Sequence, residues 1–282
     1  MTTVGGEVRF DEIGYWSEVK LDIVKQYATA YSQILSKQSN LSHVYIDAFA
    51  GAGVHISKAT GEFIPGSPLN ALAINPPFKE VHLIDLVHAR VENLKTLTKG
   101  HPEVFVHEGD CNDVLLATVF PRAKYENYRR ALCLLDPYGL TLDWKVMETA
   151  GKMRSVDLFL NFPIMDMNRN ALWRDIKGAD PADVERMNAF WGDDSWKAAA
   201  YQAQGNLFGG DDLVKRSGNI AVVKAFQDRL QKVAGFKNVP EPMPMRNSIG
   251  AVVYYLFFAS QKDVANKIVG HIFDTYKTRG GA

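Results

Sequence analysis

The chain has 282 residues, enough for one large α/β domain or two small ones. Hydrophobic residues make up 46% and charged residues 23%, which supports a packed core and excludes a disordered chain. The 32 Lys and Arg balance 32 Asp and Glu, which argues against a general nucleic-acid coat while leaving room for a local basic patch.

The two cysteines, Cys111 and Cys133, fall in predicted sheet regions without metal-ligand spacing. They predict free thiols in a reducing compartment. Met1 to Phe10 lacks the apolar core of a secretion signal. The longest apolar run, Ala251 to Ala259, is too short to span a bilayer. A soluble cytoplasmic protein with no membrane contact is expected.

Met1 to Tyr15 reads as a flexible lead-in. From Trp16 to about Ser36, Trp16, Val19, Ile23, Tyr27, Ala30, Tyr31 and Ile34 recur at helical spacing, with Ser17 as a candidate N-cap. This helix either covers one side of a ligand cleft or only packs on a sheet. Val44 to Phe49 is the first strand. It ends in Ala50-Gly51-Ala52-Gly53, where glycine lets the backbone approach a ligand. Val54 to Gly66 reads as a polar loop. Ser67-Pro68 then marks a helix start, Leu69 to Ile74 the helix and Pro76-Pro77 its stop.

Val81 to Asp85 is the second strand, Ala89 to Thr98 a helix and Val104 to His107 the third strand. Asp113 to Phe120 reads as a short helix, Ala131 to Asp136 as the fourth strand, Asp143 to Lys152 as a helix and Val156 to Phe162 as the fifth strand. Strands alternating with helices in this rhythm predict a doubly wound, mostly parallel sheet. Pro163 to about Gly235 reads as helical, without a strand signal. Val239 to Met245 is a candidate edge strand, since its prolines demote it. Asn247-Ser248-Ile249-Gly250 is a candidate hairpin turn, Ala251 to Ala259 the last strand and Val264 to Tyr276 a closing helix. The expected organisation is a helical lead-in over 1–40, a Rossmann-like core over 41–163, a helical insertion or lid over 164–235, and strands with a helix completing the core over 236–282.

Four of the five strand ends carry Asp or Asn: Asp85, Asp110, Asp136 and Asn161. Ligands bind beyond the carboxyl ends of parallel strands. Asp47, inside the first strand, must be hydrogen-bonded or aimed at a ligand, because an unpaired buried charge is costly. Asp85 stands where a carboxylate accepts hydrogen bonds from ribose hydroxyls. Cys111 either lines that pocket or acts as a small buried hydrophobe. Asn161, Asp166, Asn168, Arg169, Asn170, Arg246 and Asn247 are candidate substrate contacts, or solvated loop polarity. Arg122, Lys124, Arg129 and Arg130 form the most basic stretch, either for phosphate or as a solvated face. No His-x-x-x-His, Cys-x-x-Cys, Gly-x-Ser-x-Gly or Walker A pattern occurs.

Asp47-x-Phe49-x-Gly51-x-Gly53 resembles the first motif of S-adenosylmethionine-dependent methyltransferases. That resemblance implies a Rossmann-like sheet of seven strands with a reversed C-terminal strand, and S-adenosylmethionine as cofactor. It places Asp47 at the methionine part, the backbone of Phe49, Ala50, Gly51 and Gly53 close to the cofactor, Leu86 and Val87 beside adenine, and Asp110 at the adenine amino group. Asp136-Pro137-Tyr138-Gly139 resembles the Asp/Asn-Pro-Pro-Tyr/Phe motif of amino-group methyltransferases acting on adenine or cytosine. There the acid and a proline carbonyl accept hydrogen bonds from the exocyclic amine, and the aromatic stacks on the base. Here Tyr138 stands at the second proline and Gly139 at the aromatic, so the turn also reads as a plain β-turn.

Trp16-Ser17-Glu18-x-Lys20-Leu21, Tyr45 to Gly53, Gly66-Ser67-Pro68, Glu108 to Asn112, Leu135 to Leu140, Asp157 to Pro163, Trp191-Gly192-Asp193-Asp194-x-Trp196 and Tyr254 to Ser260 together resemble the three-Cys-motif partner protein (TcmP) family. The resemblance runs from about Trp16 to Tyr276. It implies a methyltransferase-like protein paired genetically with a three-cysteine-motif protein that resembles radical-SAM-like proteins. Three functions follow as expectations: a methyltransferase acting on an amino group in nucleic acid, with Asp136, Pro137 and Tyr138 at the reacting centre; a non-catalytic partner subunit, with Trp173, Trp191 and Trp196 at an interface or in the core; or another nucleotide-using enzyme on a Rossmann-like sheet.

Overall fold

The computed structural model describes residues 10–205, 211–216, 218–247 and 249–279. Most of Met1 to Tyr15, and Ser248 of the late hairpin, lie outside them.

The chain begins with β1 (Glu12–Ile13) and α1 (Tyr15–Leu35), followed by β2 (Ser42–Asp47). Gly14, not Ser17, caps α1. Ser17 lies inside the first turn, because Tyr15 and Trp16 are already helical. The predicted loop after β2 contains two strands, β3 (Val54–Ser57) and β4 (Phe63–Pro65). They pair antiparallel, and β1 joins β3 in parallel, making a small three-stranded sheet beside the main one. The alternation in Val54 to Ser57 is too short to signal a strand by itself; its partners supply the hydrogen bonds.

Then follow α2 (Ser67–Leu72), β5 (Glu80–Asp85), α3 (His88–Leu97), β6 (Val104–Glu108), α4 (Cys111–Val114), β7 (Arg129–Leu135), α5 (Trp144–Met153) and β8 (Val156–Phe162). Ser67 and Pro68 are the first residues of α2, not its cap, which is Gly66. Cys111 opens α4 and is not in the sheet; Cys133 is in β7, and both thiols are free and buried. The segment predicted helical after β8 holds α6 (Ile164–Asn170), α7 (Pro181–Trp191), α8 (Trp196–Ala200) and α9 (Ile220–Lys232). It also holds an antiparallel hairpin, β9 (Tyr201–Gly205) with β10 (Asp211–Lys215), which no apolar alternation announced. The chain ends with β11 (Met243–Arg246), β12 (Val252–Ala259) and α10 (Asp263–Arg279).

The main sheet has seven strands in the order β11-β12-β8-β7-β2-β5-β6. The pairs among β8, β7, β2, β5 and β6 are parallel, while β12 runs antiparallel to both its neighbours. This is the expected Rossmann-like, methyltransferase-type sheet with its reversed C-terminal strand.

Strand alternation splits the interior into two cores. Val44, Ile46, Ala131, Cys133 and Leu135 face one, with α5, α7 and α9. Tyr45, Leu132 and Leu134 face the other, with α1 and α10. The insertion is part of the first core. Trp191 and Trp196 are buried there, and Phe226 of α9 packs on Phe162, Phe190, Trp191 and Phe257 with ring centroids 4.6 to 5.6 Å apart. Of the three tryptophans weighed for an interface, only Trp173 is exposed. No helix among the described residues is long and apolar enough to cross a membrane.

Phe226→Ala would remove the ring at the centre of this cluster. It is expected to lower stability by about 3–5 kcal/mol, read by urea unfolding, with sheet and insertion still melting in one transition.

Candidate functional site

The carboxyl ends of β2, β5, β6, β7 and β8 meet along one edge of the sheet, and two cavities open there. The larger, about 460 Å³, is lined by Lys20, Ala50, Gly51, His55, Asp136 and Asn161 among others. The smaller, about 240 Å³, is lined by Ala48, Asp85, Leu86, Val87, Arg90, Gly109, Asp110, Cys111 and Thr141. Phe49 and Tyr138 line both, so the cavities adjoin across these two rings.

The glycine turn is held by an acid from the next strand. Asp85 accepts from the Gly51 amide at 2.9 Å and from the Val87 amide at 2.8 Å. Gly51 and Gly53 have φ of +63° and +81°, a region that penalises a Cβ. A Cβ on Gly53 would also stand 3.0 Å from Leu97, so this glycine serves the packing of α3. Gly53 lines neither cavity, whereas Gly51 lines the larger one. Asp85 thus has a structural task, and its spare lone pairs still face the smaller cavity. Asp110 caps α4, accepting from the Asn112 amide at 2.9 Å and from the Asp113 amide at 3.4 Å. Burial pushes the Cys111 thiol up to about 12, which fits an inert wall.

Asp47 is fully buried and lines neither cavity. Its Oδ1 accepts from the Phe49 amide at 3.3 Å, and its Oδ2 has no hydrogen-bond partner. Burial pushes its carboxyl up to about 7, against the pull of the Ser67 hydroxyl and the Phe49 amide.

Asp136 is the crossing point of the larger cavity. Lys20 of α1 forms an ion pair with its Oδ2, and Asn161 Nδ2 donates to its Oδ1 at 2.8 Å. Lys20 is buried. Burial works against its charge, but Asp136 beside it outweighs burial and holds its pKa above the ordinary lysine value. Lys20 belongs to the Trp16-Ser17-Glu18-x-Lys20-Leu21 stretch, but nothing in that stretch marks it as a site residue. His55 was missed as well, inside the supposed loop. Its Nδ1 is buried and unpartnered, and burial, then Lys20, keep its pKa below the usual histidine value. Asn161 likewise has a buried Oδ1 without a partner.

Tyr138 is exposed, and its hydroxyl donates to Asp11 Oδ2 at 2.9 Å. Asp11 also pairs with Arg90, 3.4 Å away, so the segment before β1 reaches over the seam between the cavities. At Gly139 a Cβ would stand 2.8 Å from Asp166 Oδ2. The carboxylate of Asp166 fills the space a side chain at Gly139 would need, so Tyr138 is the ring this turn offers.

Other candidates lie elsewhere or are engaged. Arg122 and Arg129 both pair with Glu80, at 3.2 and 2.6 Å. Arg246 donates to the Gly250 carbonyl at 2.8 Å, and Asn247 accepts from the Ile249 and Ala251 amides, so both close the last hairpin. Asn168 accepts from Lys215 at 2.7 Å. Arg169 and Asp166 do line the larger cavity. Among the described residues no cluster of His, Cys, Asp and Glu could hold a metal ion.

Two predictions follow from these charges. The native state keeps a proton on Asp47 between the free value of 3.8 and about 7, where the unfolded chain has lost it. Stability should therefore fall as pH rises through that window, and Asp157, pushed up by burial to about 6, adds the same sign. Asp47→Asn is expected to flatten this slope in urea midpoints measured across the window. Lys20→Met should cost roughly 2–4 kcal/mol by stranding Asp136, and Lys20→Met/Asp136→Leu should cost less than the sum of the single changes.

No protein-family model and no curated protein matches the chain. Among solved structures, LPL1258 of Legionella pneumophila, of the DUF519 family, is 12% identical, with 92% of this chain and 91% of that one covered and a TM-score of 0.54. A SAM-dependent methyltransferase from Aquifex aeolicus is 12% identical over 87% of this chain and 96% of its own, at a TM-score of 0.29. The 23S rRNA methyltransferase ErmE is 11% identical over 90% and 97%, at 0.32. The Legionella structure shows a shared fold and nothing further; the other two scores are too low to support an argument.

Proposed function

We propose that the chain is an S-adenosylmethionine-dependent methyltransferase of the cytoplasm, acting on an amino group in nucleic acid. The observation that carries this reading is the pair of adjoining cavities at the carboxyl edge of a methyltransferase-type sheet, divided by Phe49 and Tyr138. The residues fit the cofactor. Leu86, Val87 and Cys111 offer apolar walls for adenine, Asp85 and Asp110 offer acceptors, and the Ala50-Gly51 backbone leads into the larger cavity. When bound there, the cofactor supplies an electrophilic methyl group.

The chain's own groups then have distinct tasks. Asp136 and the Pro137 carbonyl accept hydrogen bonds from an acceptor amine, and the exposed Tyr138 ring offers a face for a base. Asn161, with its free Oδ1, is a further acceptor at the same wall. Burial holds the His55 pKa below the usual histidine value, which favours a neutral ring, and its unpartnered Nδ1 can take the proton that the nitrogen sheds. Lys20 balances the charge of Asp136, so the carboxylate orients the amine without adding net negative charge to the cavity.

One observation favours a second reading, a non-catalytic partner subunit of a three-cysteine-motif protein, in keeping with the TcmP-like motifs. Both oxygens of Asp136 are already engaged within the protein.

Calorimetric titration separates the readings. S-adenosylmethionine should bind the wild type, and Asp85→Ala should weaken it by about tenfold or more through loss of the glycine turn. With bound cofactor, labelled-methyl transfer to RNA or DNA should fall by roughly 10²-fold in His55→Gln at unchanged cofactor affinity, and the wild-type rate should drop on the acid side as His55 protonates. Cofactor binding without transfer to any nucleic acid would favour the subunit; no binding would defeat the methyltransferase reading.

A further inference from the structure

A third cavity opens at the opposite end of the sheet. It measures about 610 Å³ and shares no lining residue with the other two. It collects the starts of β7 and β8, the end of α1 and the turn after β12. A strand of this length spans about 20 Å, so the cavity is well separated from the candidate active site.

Its lining combines three cations with exposed rings. Arg130, Arg154 and Lys262 line it, and among the described residues none of the three forms an ion pair. Arg130 lies over the Tyr125 ring, 3.7 Å from its centroid, and donates through Nη1 to the carbonyls of Arg129 and Tyr125. Its other nitrogens make no bond to a described protein group. Tyr125 and Tyr128 are exposed there. Two carboxylates share the lining. Asp157 is occupied, accepting from Tyr27 at 2.7 Å and Ser260 at 2.5 Å, and Glu126 is exposed.

The backbone marks the same place. Tyr128 at φ 55° and Arg154 at φ 60° are the two non-glycine residues with positive φ among those described, and both line this cavity. Glycine or asparagine suits such positions better. A tyrosine and an arginine held there at a backbone cost present a ring and a guanidinium to one cavity, and among the described residues neither side chain forms a hydrogen bond or an ion pair.

We propose that this cavity is a nucleotide-binding site, taking a phosphate on Arg154, Lys262 and Arg130 and stacking a base on Tyr128. Unpaired guanidinium and ammonium groups suit phosphate, an exposed ring suits any base, and the volume is in the range of nucleotide-sized sites. The source of that unit is a free mononucleotide or the 5′-phosphorylated end of a single strand. The site is independent of the methyltransferase reading.

The test is calorimetric titration of the full chain with UMP, uridine and a 5′-phosphorylated oligouridine, on the wild type and on a variant changed only in this cavity. UMP or the oligonucleotide should bind, and uridine should bind more weakly. Arg154→Gly/Lys262→Gln should weaken binding by about tenfold or more with an unchanged melting temperature, since glycine suits the backbone at 154. Tighter binding of UMP than of the oligonucleotide identifies the free nucleotide as the source, and the reverse identifies the strand end. Failure of both phosphorylated probes to bind, or undiminished binding to the folded double variant, would overturn the proposal.

Discussion

A buried lysine needs a carboxylate, and much of this structure answers to that need. Lys20 comes from α1 and Asp136 from the end of β7, far apart in sequence, yet the two meet in the wall of the larger cavity. Neither charge could remain there alone, because uncompensated burial costs several kcal/mol. The pair fixes α1 across the carboxyl edge of the sheet and gives the cavity its polar floor. Asn161 completes the arrangement from β8. Three elements therefore meet at one carboxylate.

The second constraint is the glycine turn after β2. Asp85 ties the Gly51 amide to the end of β5, and its other oxygen takes the Val87 amide. One acid thereby shapes the backbone that borders both cavities. This explains a carboxylate at that strand end before any ligand is considered. Asp47 differs. It sits behind the turn, buried and with a spare oxygen, so its influence on the cavities passes through the backbone of Phe49 and not through direct contact.

The two ends of the sheet differ in chemistry. At the carboxyl edge Lys20 and Asp136 are paired, and His55 Nδ1 and Asn161 Oδ1 are buried without a partner among the described residues. At the opposite edge three cations have no ion-pair partner among the described residues and lie beside exposed rings. Element ends and the residues just beyond them supply most of both sets, such as Asp136, Asn161, Arg130, Arg154 and Lys262, while the middles of β7 and β8 are apolar. Parallel strands buried on both faces leave polar groups nowhere else to go.

By itself the sequence determined the sheet. Strands β2, β5, β6, β7 and β8 could be read because buried parallel strands are continuous apolar runs, and their polar ends marked the edge where the two adjoining cavities open. The Gly51 turn and the Asp136-Pro137-Tyr138 turn were legible for the same local reason: unusual residues directly after an apolar run. Tertiary structure alone decided what depends on distant partners. Lys20 looks like one more helical lysine until β7 brings Asp136 to it. His55 sits in a stretch that becomes a strand only when β1 and β4 pair with it. Asp47 keeps its place in the motif but is buried away from both cavities, and Asp166 takes the space beside Gly139. Periodicity reports which face of an element is buried; it carries no information about which polar atoms from other elements arrive there, and those arrivals set the chemistry of the site.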